Sequence, residues 1–266
     1  MLNFPLIKIY YQWLLAPASP LKADCYLSII QTNISMFSFL SKRNPSLIEE
    51  MDRNDCNPVL LENTYKQFQH INRLLSQWHR VYRNEILPLV KQQRTYSLLD
   101  IGFGGGDIPV QLAQWAKRDG IQLHITAIDP DRRAYEFARS NYPEGLVTWR
   151  YISSKQLLHE NEKFDFVTSN HLLHHLQDRE VTTLLKEAKS LSSGKVIFSD
   201  IERSNIGYTL FNIFSRLFFR RSFITTDGLI SIRRSFTPDE LRSLLPADWK
   251  VKNMFPFRLL LIHEKS

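Results

Sequence analysis

The sequence predicts a doubly wound α/β fold around a mostly parallel, seven-stranded sheet. Three observations predict it. From Ser97 onward, short apolar runs alternate with helical stretches, the pattern of βαβ units. A glycine-rich loop, Gly102-Phe103-Gly104-Gly105-Gly106, directly follows the first run. An acid, Asp129, ends the second run.

Strands are expected at 96–101, 122–128, 147–152, 164–169, 195–200, 249–254 and 259–263. They are short runs, mostly apolar, that alternate with helical stretches. Helices fit at 108–119, 132–141, 178–190 and 238–245. Gly120 is placed to close the first of them. Thr237-Pro238-Asp239-Glu240 reads as a cap, with proline at the first helical position and acids in the first turn.

Upstream, Asn57-Pro58 marks a helix start, with Asn57 as N-cap. Apolar residues at helical spacing follow over 59–87: Leu61, Tyr65, Phe68, Ile71, Leu75, Trp78 and Tyr82. Pro88 ends this segment. The organisation expected is a poorly specified extension over 1–50, a helical lead-in or cap over 51–95, and the α/β domain over 96–266. Residues 203–235 interrupt the alternation as an insertion after the fifth strand.

The chain has 266 residues, enough to bury a core without staples. Its two cysteines, Cys25 and Cys56, give neither a metal-binding spacing nor a disulfide framework, so a reducing cytoplasm is the default location. No run approaches the roughly 20 apolar residues of a membrane span. Residues 1–15 are apolar and Ala16-Pro17-Ala18 imitates a signal-cleavage site. A basic n-region is missing, however, and Pro5 and Lys8 interrupt the apolar stretch. Met36 and Met51 are alternative starts between which the sequence does not choose.

Formal charge is +7. Residues 203–234 hold six arginines against one acid, Asp227. Such a patch favours an anionic partner, and an ordinary solvated surface is the equal alternative.

The loop carries the chemistry. Glycines there let the backbone turn sharply and approach a ligand that side chains would exclude. It lies at the carboxyl end of a strand, where open α/β sheets bind ligands. The dinucleotide fingerprint needs glycine where Asp107 stands, which argues against a nucleotide-dependent oxidoreductase. Asp129 is placed to accept hydrogen bonds from ribose hydroxyls. Asp131 is the alternative, with helix capping as its plainer role.

Residues 99–107 (LDIGFGGGD), the later Asp129, and residues 164–176 (FDFVTSNHLLHHL) resemble the class I S-adenosylmethionine-dependent methyltransferases. Within these the chain is most similar to the small-molecule branch that includes ubiquinone- and menaquinone-biosynthesis enzymes. The resemblance runs from about Ser97 to the C-terminus. It implies a Rossmann-like methyltransferase fold whose last strand is antiparallel. It also implies S-adenosylmethionine as cofactor. Asp100, Gly102, Phe103, Gly104 and Gly106 would then surround the methionine part, and Asp129 and Pro130 the ribose. Asn170 and His171 would lie beside the methionine and the transfer site. The family often has an acid after the third strand to bind the adenine amino group. Here Ser153 and Ser154 stand in that region, and a serine hydroxyl would have to serve.

Methyl transfer is an in-line displacement, so the protein must orient the acceptor and remove its proton where needed. His171, His174 and His175 are the candidate bases, because imidazole titrates near neutral pH. Their spacing allows a shared helical face. Packing beneath the cofactor is the plainer role. No carboxylate motif accompanies them, so no metal is expected. The absence of Pro-Pro-Tyr after Asn170, in light of the resemblance, tilts toward oxygen or carbon acceptors, or other small-molecule nitrogens.

The acceptor is expected at the insertion. Leu210, Phe211, Phe214, Leu217 and Phe218 share one helical face there, with Asn212, Arg216 and Arg220 on another. Phe214 and Phe218 would line an apolar pocket, and Arg233 and Arg234 would hold a carboxylate or phosphate. A packed lid helix is the plainer reading. Peripheral membrane contact through 206–224, with arginines toward lipid phosphates, is a third. The expectation is a cytoplasmic enzyme methylating a hydrophobic small molecule such as a quinone, phenol, polyketide or isoprenoid. The alternatives are an RNA methyltransferase, for which no RNA-binding motif is visible, and a catalytically silent cofactor-binding regulatory or assembly protein.

Overall fold

The computed structural model describes residues 40–91 and 93–265. Expectations that fall on residues 1–39 lie outside the described residues. The described residues from 43 onward form one compact unit, which carries the sheet.

Seven strands form it: β1 (Thr95–Ile101), β2 (Gln122–Asp129), β3 (Thr148–Tyr151), β4 (Phe164–Asn170), β5 (Ser192–Ile201), β6 (Trp249–Met254) and β7 (Arg258–Glu264). Their order is β3-β2-β1-β4-β5-β7-β6. β1 to β5 pair in parallel, and β7 runs antiparallel to both β5 and β6. Strand order reverses beside β1, which makes the end of β1 a topological switch point, the usual ligand crevice of such sheets.

The principal helices are α1 (Pro58–Leu75), α2 (Asp107–Arg118), α3 (Arg132–Asn141), α4 (Asp178–Leu191), α5 (Asn205–Phe218), α6 (Ile224–Arg234) and α7 (Pro238–Leu244). Each expected strand and each of the four helices expected from Ser97 onward is present within a few residues of its expected ends. Helices cover both faces of the sheet, so its central strands bury both sides, while the edge strands β3 and β6 stay largely exposed or half-buried. On one face Leu98, Ile125, Phe166 and Ile197 pack with α1 and α2 side chains such as Tyr65 and Leu112. On the other Leu99, Ile128, Val167 and Val196 pack with Val181 and Leu185 of α4 and Leu241 of α7.

The lead-in departs from expectation. Asn57 does cap α1, accepting from the backbone N–H of Val59 and Leu60, and Pro58 opens it. The helix ends at Leu75, however, instead of running to 87. The Ser76 hydroxyl donates to the Asn72 carbonyl, and Gln77 takes a left-handed conformation with φ of 56°. A short helix (Trp78–Val81) and a π turn (Tyr82–Ile86) continue in a new direction. The break turns Trp78, Tyr82 and Ile86 fully into the core while leaving Leu75 38% exposed. The apolar spacing stays in phase across the break, so spacing alone does not reveal it.

Candidate functional site

The site is built on the carboxyl ends of β1, β2, β4 and β5. Because β7 is antiparallel, its first residue, Arg258, pairs with Ile201 and joins the same edge.

The glycine loop crosses from β1 to α2. Gly102, Gly104 and Gly106 all have positive φ, of 74°, 51° and 78°. At Gly106 a Cβ would sit 2.8 Å from the Trp149 ring and 3.0 Å from Tyr142, so both conformation and space demand glycine. Phe103 packs edge-on against Trp149, ring centroids 4.9 Å apart. α1 lies over the loop: a Cβ on Gly105 would be 3.1 Å from the Tyr65 carbonyl oxygen.

Three buried carboxylates surround this loop. Asp129 accepts from the Gly104 N–H (2.9 Å) through one oxygen and from the Asp131 N–H (2.8 Å) through the other. Asp100 accepts from the Thr168 hydroxyl at 2.8 Å. Asp107 accepts from the Asn72 side-chain amide on α1 and from Gln111. Asp107 is the first residue of α2 and Gly106 its N-cap, so the helix begins one residue before the expected 108. Burial pushes the carboxyl of Asp100 up to about 7 and those of Asp107 and Asp129 up to about 6. None of the three is ion-paired among the described residues. Anionic groups gathered without a counter-cation favour a cationic ligand, and the loop leaves room for backbone approach. S-adenosylmethionine, with its sulfonium and ammonium, fits that donor set.

The ends of β4 and β5 form the second half. Asn170 accepts from the Arg258 guanidinium at 2.7 Å, which also donates to the Ser199 hydroxyl at 2.8 Å. Another Arg258 nitrogen meets Nε2 of His171. Burial, then the Arg258 charge, holds the His171 imidazole well below its usual range, so it is neutral with its lone pair engaged. His171 itself has φ of 58°. The three histidines therefore do not share a helical face as their spacing suggests; a 3-10 turn, Leu173–His175, carries the other two. The rings still gather, His171 to His174 at 6.0 Å and His174 to His175 at 4.3 Å.

His174 is fully buried. Its Nδ1 lies 2.6 Å from Asp200, whose other oxygen accepts from the His174 backbone N–H. Burial works against the charged imidazole, but Asp200 and Glu49 carry it up to about 9. His175 is partly exposed; its Nδ1 lies 3.0 Å from Asp52.

Glu49 and Asp52 reach the site from a segment that the sequence groups with the extension and the start of the lead-in. α6 holds this segment. Asp227 accepts from the backbone N–H of Glu50 (2.8 Å) and Met51 (3.0 Å), and the Ser231 hydroxyl donates to Glu49 (2.8 Å). Arg43 binds the Leu176 and His174 carbonyls and Asp178.

Several expected site residues lie elsewhere or are otherwise engaged. Arg234 is buried, and its guanidinium donates to the carbonyls of His174 (3.1 Å) and His175 (2.8 Å), so it clamps the histidine turn and presents no free face to an acceptor anion. Arg233 gives its carbonyl to the Asn44 N–H. Ser154 donates to Glu187 of α4, and Ser153 caps the short helix Ser154–Leu157, so neither hydroxyl is free for adenine. Pro130 is exposed beside Asp129. Asp131 caps α3 and clasps Arg133, so its carboxylate is engaged within its own helix.

The insertion is two helices, α5 and α6. They meet where the Phe211 ring lies on Gly228; a Cβ there would stand 2.4 Å from the ring. Phe211 thus belongs to the packed face with Gly207 and Ser215, not to the stripe in which the sequence places it. The opposite face is apolar and exposed: Ile206, Leu210, Ile213, Phe214, Leu217 and Phe218, with Phe214 52% and Phe218 74% exposed. These rings face solvent and enclose no pocket among the described residues. The basic patch shrinks too: Arg203 is buried against Glu240, and Arg216, Arg220 and Arg221 are the exposed members.

Glu49, Asp52, Asp200, Arg258 and Arg43 are the site residues that sequence reasoning missed. Asp200 carried a usable signal, an acid at a strand end like Asp129. Glu49 carried none.

Residues 98–193 match the family model of a methyltransferase domain. Among solved structures, a SAM dependent methyltransferase from Aquifex aeolicus is similar with a TM-score of 0.51 at 16% identity, over 76% of this chain and 97% of that one. The plantazolicin methyltransferase BpumL, in complex with a monoazolic desmethylPZN analog and SAH, gives 0.51 at 14% identity, over 77% and 86%. At these identities the likeness is one of fold. No match is found among curated proteins.

Proposed function

We propose that this chain, whose residues 98–193 are a methyltransferase domain within a class I S-adenosylmethionine-dependent methyltransferase fold, methylates an oxygen or carbon of a hydrophobic small molecule. The observation that carries the cofactor is the ring of Asp100, Asp107 and Asp129, buried and without basic partners, around a loop of positive-φ glycines. Bound there, the cofactor supplies an electrophilic methyl on a cationic sulfur. Asp129 would receive the ribose hydroxyls on its remaining lone pairs, and the backbone of the glycine loop would hold the methionine portion.

The chain's own residues must place the acceptor and accept its proton. His171 is occupied by Arg258, and His174 is held charged by Asp200 and Glu49, so neither is a ready base at neutral pH. His175 is the remaining imidazole: its side chain is 23% exposed and Asp52 orients its ring. The acceptor's hydrophobic character is supported by the exposed stripe of α5, in the segment inserted after β5. A membrane surface that presents an apolar acceptor suits the same stripe, with Arg216 and Arg220 toward lipid phosphates.

RNA is the less favoured acceptor, because two of the six arginines, Arg203 and Arg234, are buried against protein partners. The test is transfer of a labelled methyl group to a panel of phenols, quinols, polyketides and short RNAs. Labelling of an apolar small molecule and not of RNA is expected; the reverse pattern, or cofactor binding with no transfer to any class, overturns the reading.

A further inference from the structure

The contacts of Glu49, His174 and His175 suit more than proton transfer. Each imidazole is gripped at Nδ1 by its own carboxylate, His174 by Asp200 at 2.6 Å and His175 by Asp52 at 3.0 Å. Both Nε2 atoms then turn toward one carboxylate, Glu49: His174 Nε2 to Oε1 at 3.5 Å, His175 Nε2 to Oε2 at 3.8 Å. One ligand atom from each residue lies within 4.8 Å of the others. With Nδ1 of each ring held by its own carboxylate, Nε2 is the atom left to face Glu49. A metal ion there would displace the Nε2 proton of the charged His174 ring and take the Nε2 lone pairs of both rings.

The distances discriminate between a proton and a larger cation. An N–H···O hydrogen bond closes to about 2.7–3.2 Å. The 3.5 and 3.8 Å separations exceed that. They approach the roughly 3.4 Å edge of a tetrahedron with bonds of about 2.1 Å, as for His and carboxylate ligands of zinc. The supporting shell is also that of a metal site. Carboxylates fix both ring orientations, and the Ser231 hydroxyl donates to Glu49 at 2.8 Å. His175 and Asp52 open the cluster to solvent.

We propose that Glu49, His174 and His175 bind one divalent transition-metal ion, with water or an acceptor hydroxyl in its open position. A two-histidine, one-carboxylate set suits zinc, iron(II), manganese or cobalt and does not suit calcium. Within the methyl-transfer reading, on which this step alone rests, the ion takes over from a free His175 base. A hydroxyl bound to it loses its proton more readily, which favours oxygen as the methylated atom.

The test uses full-length, tag-free protein stripped with chelator and then titrated with Co²⁺. Metal content and visible absorption are read without cofactor or acceptor, so failure here is distinguishable from failure of the methyl-transfer reading. One equivalent bound, with the intense visible bands of a low-coordinate cobalt site, is expected. Glu49→Gln and His175→Ala should each weaken binding at least tenfold, while His159→Ala, at an exposed histidine remote in sequence, should not. Circular dichroism identifies any variant that fails to fold. Substoichiometric binding by the wild type, or equal binding by folded Glu49→Gln and wild type, overturns the site and leaves the cluster an ion-pair network.

Discussion

Replacing Gly106 with alanine puts the loop's geometry to a quantitative test. Two costs are expected. Gly106 has φ of 78°, and an L-residue in that region costs about 1–2 kcal/mol. The new methyl group would also lie 2.8 Å from Trp149 and 3.0 Å from Tyr142. Relieving such overlap in a packed site costs about 1–3 kcal/mol. The sum is about 2–5 kcal/mol. Gly145→Ala is the control, because Gly145 has φ of 77° but nothing within 4 Å of a Cβ. It should show the backbone cost alone, and the smaller unfolded-state entropy gain cancels between the two variants. Urea unfolding of both should therefore separate Gly106→Ala from Gly145→Ala by about 1–3 kcal/mol. Trp149 touches Phe103, so Gly106→Ala should also weaken S-adenosylhomocysteine binding in calorimetry, and Gly145→Ala should not. Equal stability losses, or unchanged binding by a folded Gly106→Ala protein, would refute the claim that Trp149 and Tyr142 enforce glycine there.

Three further outcomes are expected. Asp129→Ala removes the carboxylate that ties Gly104 to Asp131 and should weaken cofactor binding by about 1–3 kcal/mol, read by calorimetry; unchanged affinity in a folded variant removes Asp129 from the ribose role. Asp100, Asp107 and Asp129 ionise near 6–7 in the free protein, against 3.8 ordinarily. Their raised values make these groups disfavour the cofactor-free fold progressively as pH rises from about 4 to 7. A cationic ligand draws their values down and releases protons, so S-adenosylmethionine should bind more tightly at pH 7.5 than at 5.5. S-adenosylhomocysteine, which lacks the sulfonium charge, should show a smaller change; matching pH profiles would show that the three acids do not sense that charge. Phe214→Ser with Phe218→Ser should raise the acceptor KM while leaving cofactor affinity and stability intact, because both rings are exposed; loss of stability would make α5 a packed lid.

The sheet is legible in the sequence because its central strands β1, β4, β5 and β7 are largely buried, so they read as apolar runs of the right length. α3 occupies 132–141 as expected, since Asp131 supplies its cap locally. Local signals fail where the outcome depends on distant partners. The break after Leu75 is set by the core receiving Trp78 and Tyr82, while the helical spacing stays unbroken. Arg234 looks like an anion binder by charge, yet the carbonyls of His174 and His175 take its guanidinium. That the glycine loop and Asp129 come together is legible because they lie at the ends of two adjacent strands. The histidine half is only partly so: its imidazoles stand in one short run, but Glu49 comes from about 125 residues earlier and Arg258 from the last strand. No periodicity joins those segments; the reversal of β7 and the grip of α6 do.

The most direct test of the central claim is calorimetric titration of the purified protein with S-adenosylhomocysteine, with NADH as the control. One-to-one binding of the first in the micromolar range and none of the second is the predicted result. Absence of S-adenosylhomocysteine binding by a demonstrably folded protein, with or without acceptor, or preferential binding of NADH, would contradict it.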